Sequence, residues 1–269
     1  MGISNKMAYA LGPIVLSAFM SLQGINVSDI IEPFYIISAV FVACAGISYF
    51  APLPEIQADS STSEGEFENN SSQASSIFQF PHLFLGVGAV FLYIGAETLS
   101  LGTVLDFAIQ LNLPAFKVFD INILAPEVFV SYATFSMIIG YLAGIVLIPK
   151  YISQQDALKY SAILGLAITV MVLTLPPNWS VFLVASLGIA NAVMWPAMWP
   201  LSLAGLGKFT KTGSSVLVLG IVGGAVIPLV FGWMADVVTF KSAYFICLPC
   251  YLYILYFAVK GYKVGKTTL

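Results

Sequence analysis

Apolar runs of about 20 residues follow one another along the whole chain, near residues 7–22, 33–52, 83–108, 126–149, 157–176, 179–206, 211–235 and 242–260. A run of that length crosses the ~30 Å hydrocarbon core of a bilayer as a helix, which satisfies its own backbone hydrogen bonds where no water can. Composition removes the soluble alternative. The 269 residues are 59% hydrophobic and only 9% charged, against roughly a quarter charged in soluble domains. The expectation is an all-α polytopic membrane protein with about eight transmembrane helices and no room for a separate soluble catalytic domain. The first run follows Lys6 but leads to no small-residue cleavage site before a soluble domain, so it reads as a retained span rather than a signal peptide.

All ten basic residues are Lys. Without Arg, a function needing bidentate grip on phosphate or carboxylate is disfavoured, and nucleic-acid binding is unsupported. The lysines are placed asymmetrically. With both termini inside the cell, Lys6, Lys150, Lys159, Lys208, Lys211, Lys260, Lys263 and Lys266 fall on the cytoplasmic side, and Lys117 and Lys241 outside. Residues 57–79 differ in kind: they are rich in Ser, Asn and Glu, hold Asp59, Glu64, Glu66 and Glu68, and read as a solvated cytoplasmic linker. The expected organisation is 1–55 for two helices, 56–80 for the linker, 81–261 for six helices and 262–269 for a cytoplasmic tail.

The pair of spans before the linker is similar to the last pair. Gly12, Pro13, Ser17 and Ala18 lead through Asp29 to Phe34-Tyr35; Gly223, Gly224, Pro228 and Gly232 lead through Asp236 to Tyr244-Phe245. An offset of about 200 residues suits a repeat of six spans plus a linker. The expectation is the end of one six-helix half followed by a whole second half, with four front helices absent.

Three segments carry a family resemblance: Phe91-Leu-Tyr-Ile-Gly-Ala-Glu97; Asn191-Ala-Val-Met-Trp-Pro196 with Gly205-Leu-Gly207; and Thr210-Lys-Thr-Gly-Ser-Ser215 running into Gly220-Ile-Val-Gly-Gly224 and Ala235-Asp236. Together they resemble the fucose permease and glucose/galactose permease branch of the major facilitator superfamily. The resemblance implies a major-facilitator-like fold in which these eight spans correspond to the family's fifth to twelfth helices. It implies a transporter of a hexose or deoxyhexose such as glucose, galactose or fucose, working by cation symport, usually with a proton, in a bacterial inner membrane. Two departures accompany it. The acids proposed to handle the proton lie in the family's first and fourth helices, outside this chain, and Tyr141 stands where many relatives have Arg.

Glu97 is the sharpest single residue, because a carboxylate inside an apolar span costs ~3 kcal/mol unless protonated, hydrated or paired. At helical spacing Tyr93, Glu97 and Ser100 share a face, a set suited to bonding a polyhydroxylated ligand. The alternative is a protonated Glu97 bonded to a neighbouring helix for packing. Asn191 and Trp195 lie four apart, and Trp199 continues the stripe; an indole covers the C–H face of a sugar while the amide bonds its hydroxyls. The alternative there is lipid-facing indoles on a helix kinked by Pro196 and Pro200. Glu97, Tyr93, Asn191 and Trp195 are thus the candidate substrate contacts, with a monosaccharide, a coupling cation and the bilayer as partners.

Other features favour structure over chemistry. Gly220, Gly224, Pro228 and Gly232, and Gly140 with Gly144, are expected to allow close helix packing. Cys247-Leu-Pro-Cys250 inside an apolar span reads as packing. His82 reads as an interfacial bystander, and Asp106, Asp120 and Asp236 lie at or beyond helix ends. No metal or cofactor is expected, and neither clustered acids nor a nucleophile with its base points to an enzyme. The rival to a transporter is a non-transporting membrane scaffold or remnant associating through its glycine faces, or a chain completed by a partner supplying the absent helices.

Overall fold

The computed structural model of the protein describes residues 76–265 apart from 115, 119, 120 and 149, together with a few helical residues between 35 and 46. The first two expected spans as units, the linker up to residue 75, Asp29, Cys44 and the first member of the repeat lie outside the described residues.

Within residues 76–265 the spans are helices with recognisable starts. Helices α1 (Pro81–Gly102), α3 (Pro126–Leu147) and α5 (Pro177–Ala192) each begin on a proline, where the missing N–H has no partner to lose. Helix α4 (Gln154–Thr174) is capped by Ser153, whose Oγ accepts from the Asp156 N–H at 3.1 Å. Helix α2 (Val104–Leu111) continues α1 after a break at Thr103 and ends on Asn112 in the left-handed region, φ 43°. A two-residue antiparallel ladder, β1 (Lys117–Val118) with β2 (Ile121–Asn122), occupies the following loop and is the one described departure from an all-helical chain.

Further breaks fall inside the remaining spans, two of them beside internal prolines. Pro196 cannot donate to the Ala192 carbonyl, and the helix divides at Val193 into α5 and α6 (Met194–Leu203). Helix α7 (Thr210–Val218) passes through a 3₁₀ turn, Leu219–Val222, into α8 (Gly223–Val237). The short α9 (Phe240–Ala243) passes through Tyr244–Ile246, also 3₁₀, into α10 (Cys247–Val259). Pro249 leaves the Phe245 carbonyl within that second 3₁₀ turn without its α-helical donor.

Joined across these breaks, the helices form six apolar units long enough to cross a membrane: Pro81–Leu111, Val128–Leu147, Gln154–Thr174, Pro177–Leu203, Gly207–Val237 and Phe240–Val259. They match the last six expected spans to within a few residues at most ends. Their outer faces carry exposed Ile139, Ile145, Val146, Leu229 and Trp233, a surface stable against lipid and not against water. The protein is an integral membrane protein.

Helix α1 is the hub. It packs against α8, α10, α6 and α5, and its Leu83, Ala89, Val90, Ala96 and Leu99 are fully buried. Glycines let the neighbours approach. A Cβ at Gly220 would lie 2.9 Å from the Val87 carbonyl oxygen, one at Gly224 2.9 Å from Ile94 Cγ2, and one at Gly223 would overlap the Phe91 carbonyl. The expected four-residue stripe therefore changes register. The 3₁₀ turn at Leu219–Val222 brings Gly223 into the tightest contact, while a Cβ at Gly232 meets nothing within 4 Å. The second small-residue pair packs α3 on α5, with a Cβ at Gly140 only 2.8 Å from the Ile189 carbonyl oxygen.

Two minor expectations resolve here. His82, at the start of α1, is no bystander: it is buried, with Nε2 3.0 Å from the Ala204 carbonyl oxygen. The chain turns back at Gly205, and the ring closes that turn over the first turn of α1. Cys247 and Cys250 are free thiols in the apolar core, where they pack as small hydrophobes.

Replacing Gly223 by Ala forces a methyl into the Phe91 carbonyl and is expected to destabilise the protein by about 1–3 kcal/mol. Gly232→Ala, in open space, is expected to be neutral or stabilising by a few tenths, up to ~1 kcal/mol. Thermal unfolding of both variants in detergent checks the contrast.

Candidate functional site

The polar groups of the apolar interior gather around the second half of α1. Tyr93 and Ser100 are fully buried and Glu97 is 8% exposed. The Tyr93 phenol stands beside the Glu97 carboxylate one turn on, and Tyr141 of α3 stands within electrostatic range of the same acid. The two phenols belong to different helices, so the carboxylate lies where α1 faces α3. Such a group is tolerated in a bilayer only when partnered or hydrated.

Ser100 is turned to another task. Its Oγ donates to the Glu97 backbone carbonyl at 2.9 Å and accepts from Asn191 Nδ2 at 3.2 Å. Asn191 Oδ1 accepts from the Tyr251 hydroxyl at 2.9 Å. One buried amide at the end of α5 thus joins α1 to α10, with a hydrogen bond on each side. The Tyr251 ring is itself held: a Cβ at Gly165 of α4 would lie 2.5 Å from its Cε1.

Trp195 completes the group from α6. Its ring centre lies 6.4 Å from that of Tyr93, tilted by 38°, and 5.0 Å from that of Trp199. Both indoles are partly buried against the core, whereas Pro196 and Pro200 are exposed. The break at Val193 interrupts the helical register between Asn191 and Trp195. They remain neighbours in sequence but serve different contacts: Asn191 bonds to Ser100 and Tyr251, and Trp195 packs beside Tyr93.

All four candidate contacts therefore converge on α1. Chemically the arrangement offers a carboxylate, phenols, an amide and an indole face in an apolar surround, which are the elements of a small polar-ligand site. Sequence reasoning missed Tyr251; the available signal was a phenol in mid-span, whose hydroxyl needs a partner when buried. Tyr141 was noticed only as a departure from relatives. Among the described residues no three His, Cys, Asp or Glu side chains come together as a metal set.

At the far end of α1 a second contact fixes the bundle. Thr103 Oγ1 lies 2.6 Å from the Tyr244 hydroxyl, and Tyr244 packs among Phe107, Phe231 and Phe240 with ring centres 4.9–6.2 Å apart. Lys241 donates to the Leu175 carbonyl at the C-terminal end of α4.

Tyr251→Phe removes the donor to Asn191 Oδ1 without changing the packed ring. A loss of ~1 kcal/mol is expected, read as a lower unfolding temperature in detergent. The double variant with Asn191→Leu should fall short of the sum of the two single changes, because both remove the same bond.

No protein-family model matches the chain. It is 28% identical over 232 residues to the glucose/galactose transporter of Brucella abortus biovar 1 (strain 9-941), covering 86% of this chain and 53% of that protein. It is 26% identical over 257 residues to the L-fucose-proton symporter of Escherichia coli (strain K12), covering 92% of this chain and 54% of that one. The chain spans about half the length of these curated relatives. Among solved structures, a major facilitator superfamily transporter, FucP, in its outward conformation superposes with a TM-score of 0.69 at 20% identity, over 96% of this chain and 64% of that one. The chain has the major facilitator superfamily fold, and over nearly all its length it is similar in sequence to the glucose/galactose and fucose permeases.

Proposed function

We propose that this chain forms part of a monosaccharide pathway, carrying a hexose or deoxyhexose such as glucose, galactose or fucose across a bacterial inner membrane by alternating access with proton symport. The observation that carries the proposal is the cluster in mid-bundle: the Tyr93–Glu97 pair with Trp195 beside it and Asn191 one contact away. A sugar ring presents apolar C–H faces and equatorial hydroxyls. Trp195 would cover the former, while Glu97, Tyr93 and Asn191 would bond the latter. Similarity to sugar transporters supports the same reading.

The orientation we propose puts both termini in the cytoplasm. Supporting it, Phe80 and Phe209 rings lie 6.0 Å apart, a Cβ at Gly265 would touch Pro81, and Tyr262 donates to Gln155. The span ends near Lys150, Lys159, Lys208, Lys211, Lys260 and Lys263 are thus gathered at one end, as the positive-inside rule asks. Lys241 belongs to the opposite end, with Leu175. In the division we propose, residues 81–261 act as one six-helix half, preceded by a linker at 56–80 and two helices of the other half at 1–55.

A scaffold associating through its glycine faces finds less support. Gly220, Gly223 and Gly224 are already occupied by α1 of the same chain.

The full chain reconstituted in liposomes and given labelled glucose, galactose and fucose under an inward proton gradient is expected to accumulate at least one of them. Glu97→Gln should cut that uptake by about tenfold, the scale of a lost charge-assisted hydrogen bond. Absence of uptake for all three sugars would leave the scaffold as the better account.

A further inference from the structure

Toward the Lys-rich end, a slot lined by none of the four candidate contacts opens between α3, α4 and α5. It encloses about 180 Å³, below the roughly 300 Å³ at which small-molecule pockets begin. Gly140, Gly144 and Leu147 of α3 form one wall, Ser161 and Leu164 of α4 the second, and Ile189 of α5 the third. The slot exists because α3 and α5 touch through glycine: a Cβ at Gly140 would lie 2.6 Å from Ala192 Cβ, and one at Gly144 would overlap Val193. Helix α4, without such a contact at this level, stands off. The lining is nearly all hydrocarbon, so a polyhydroxylated ligand would leave its hydroxyls without partners there.

The mouth has a different chemistry. The α3–α4 connection, whose Ile148 and Ile152 line the slot, holds Lys150 and Tyr151, both exposed. Lys150 Nζ lies 5.2 Å from the Tyr151 ring centre, and Lys159 Nζ lies 5.4 Å from that of Tyr160. Tyr160 both lines the slot and is 55% exposed. Asp156, also at this end, takes a hydrogen bond from Ser153 Oγ at 2.6 Å. Two lysines and two phenols around the opening of an apolar slot match the two ends of a lipid: phenols sit at headgroup depth and ammonium groups meet phosphate.

We propose that this slot is a phospholipid site, taking part of one acyl chain of an anionic lipid whose phosphate meets Lys150 and Lys159. The proposal requires only that the spans be embedded in a bilayer, not that the chain carry sugar. A bound lipid would fill the space that α4 leaves against the glycine contact of α3 and α5.

The test is retention of lipid by the full chain, released from nanodiscs of equal phosphatidylglycerol and phosphatidylcholine and counted by native mass spectrometry. The unaltered protein is expected to retain phosphatidylglycerol preferentially. Lys150→Gln, an exposed change that leaves the packing intact, should reduce that preference by about five-fold. Ala143→Phe, which fills the slot from its exposed wall, should lower retention of both lipids. Equal retention of the two lipids by the unaltered protein, or an unchanged preference in Lys150→Gln, overturns the proposal. Should Ala143→Phe fail to fold, as read by helical circular dichroism, the Lys150→Gln comparison decides alone.

Discussion

Hydrocarbon offers no hydrogen bonds, and most of this structure follows from that one deficiency. Each polar side chain drawn into the bundle must find its partner within the protein. The Asn191 amide is where the requirement is met with most consequence, because its two ends bond to Ser100 on α1 and Tyr251 on α10. Three helices that share no sequence neighbourhood are held in one register by a single side chain. The same requirement explains the Tyr93–Glu97 pair, in which an acid that would be costly alone is met by a phenol four residues earlier on its own helix.

Close packing supplies what the polar bonds cannot. Between apolar helices in lipid there is little hydrophobic driving force, so contact area and closeness carry the association. Helix α1 achieves this by receiving backbone on backbone: Gly220 and Gly223 lie against the Val87 and Phe91 carbonyls. That arrangement leaves the opposite face of α1 to the polar group. One helix therefore joins a tight apolar seam to the polar cluster, and its position is over-determined from both sides.

The interior breaks at Val193, Leu219–Val222 and Tyr244–Ile246 fall within spans rather than between them. Two have proline three to five residues downstream. At Val193 the break also separates two roles. Asn191 ends the first segment bonded to two helices, and Trp195 opens the second against Tyr93. An unbroken helix would have kept both on one stripe.

The positions of the six described spans, their helical nature, the lysine asymmetry and the identity of Glu97 as an unusual residue were all legible without coordinates. They depend on local quantities: the length of an apolar run, the propensities that start and stop a helix, and the cost of one charge in lipid. What could not be read was which partner each polar group would take. Tyr251 lies 60 residues from Asn191, and nothing in a one-dimensional pattern ties them. Neither could the register at α8 be read, since a 3₁₀ turn moved the closest approach from a regular stripe to Gly223, nor the burial of His82, which depends on the chain turning back at Gly205. Span count and composition are properties of the chain along itself. The polar cluster, the glycine seam and the apolar slot are properties of helices meeting, and distance along the chain does not encode them.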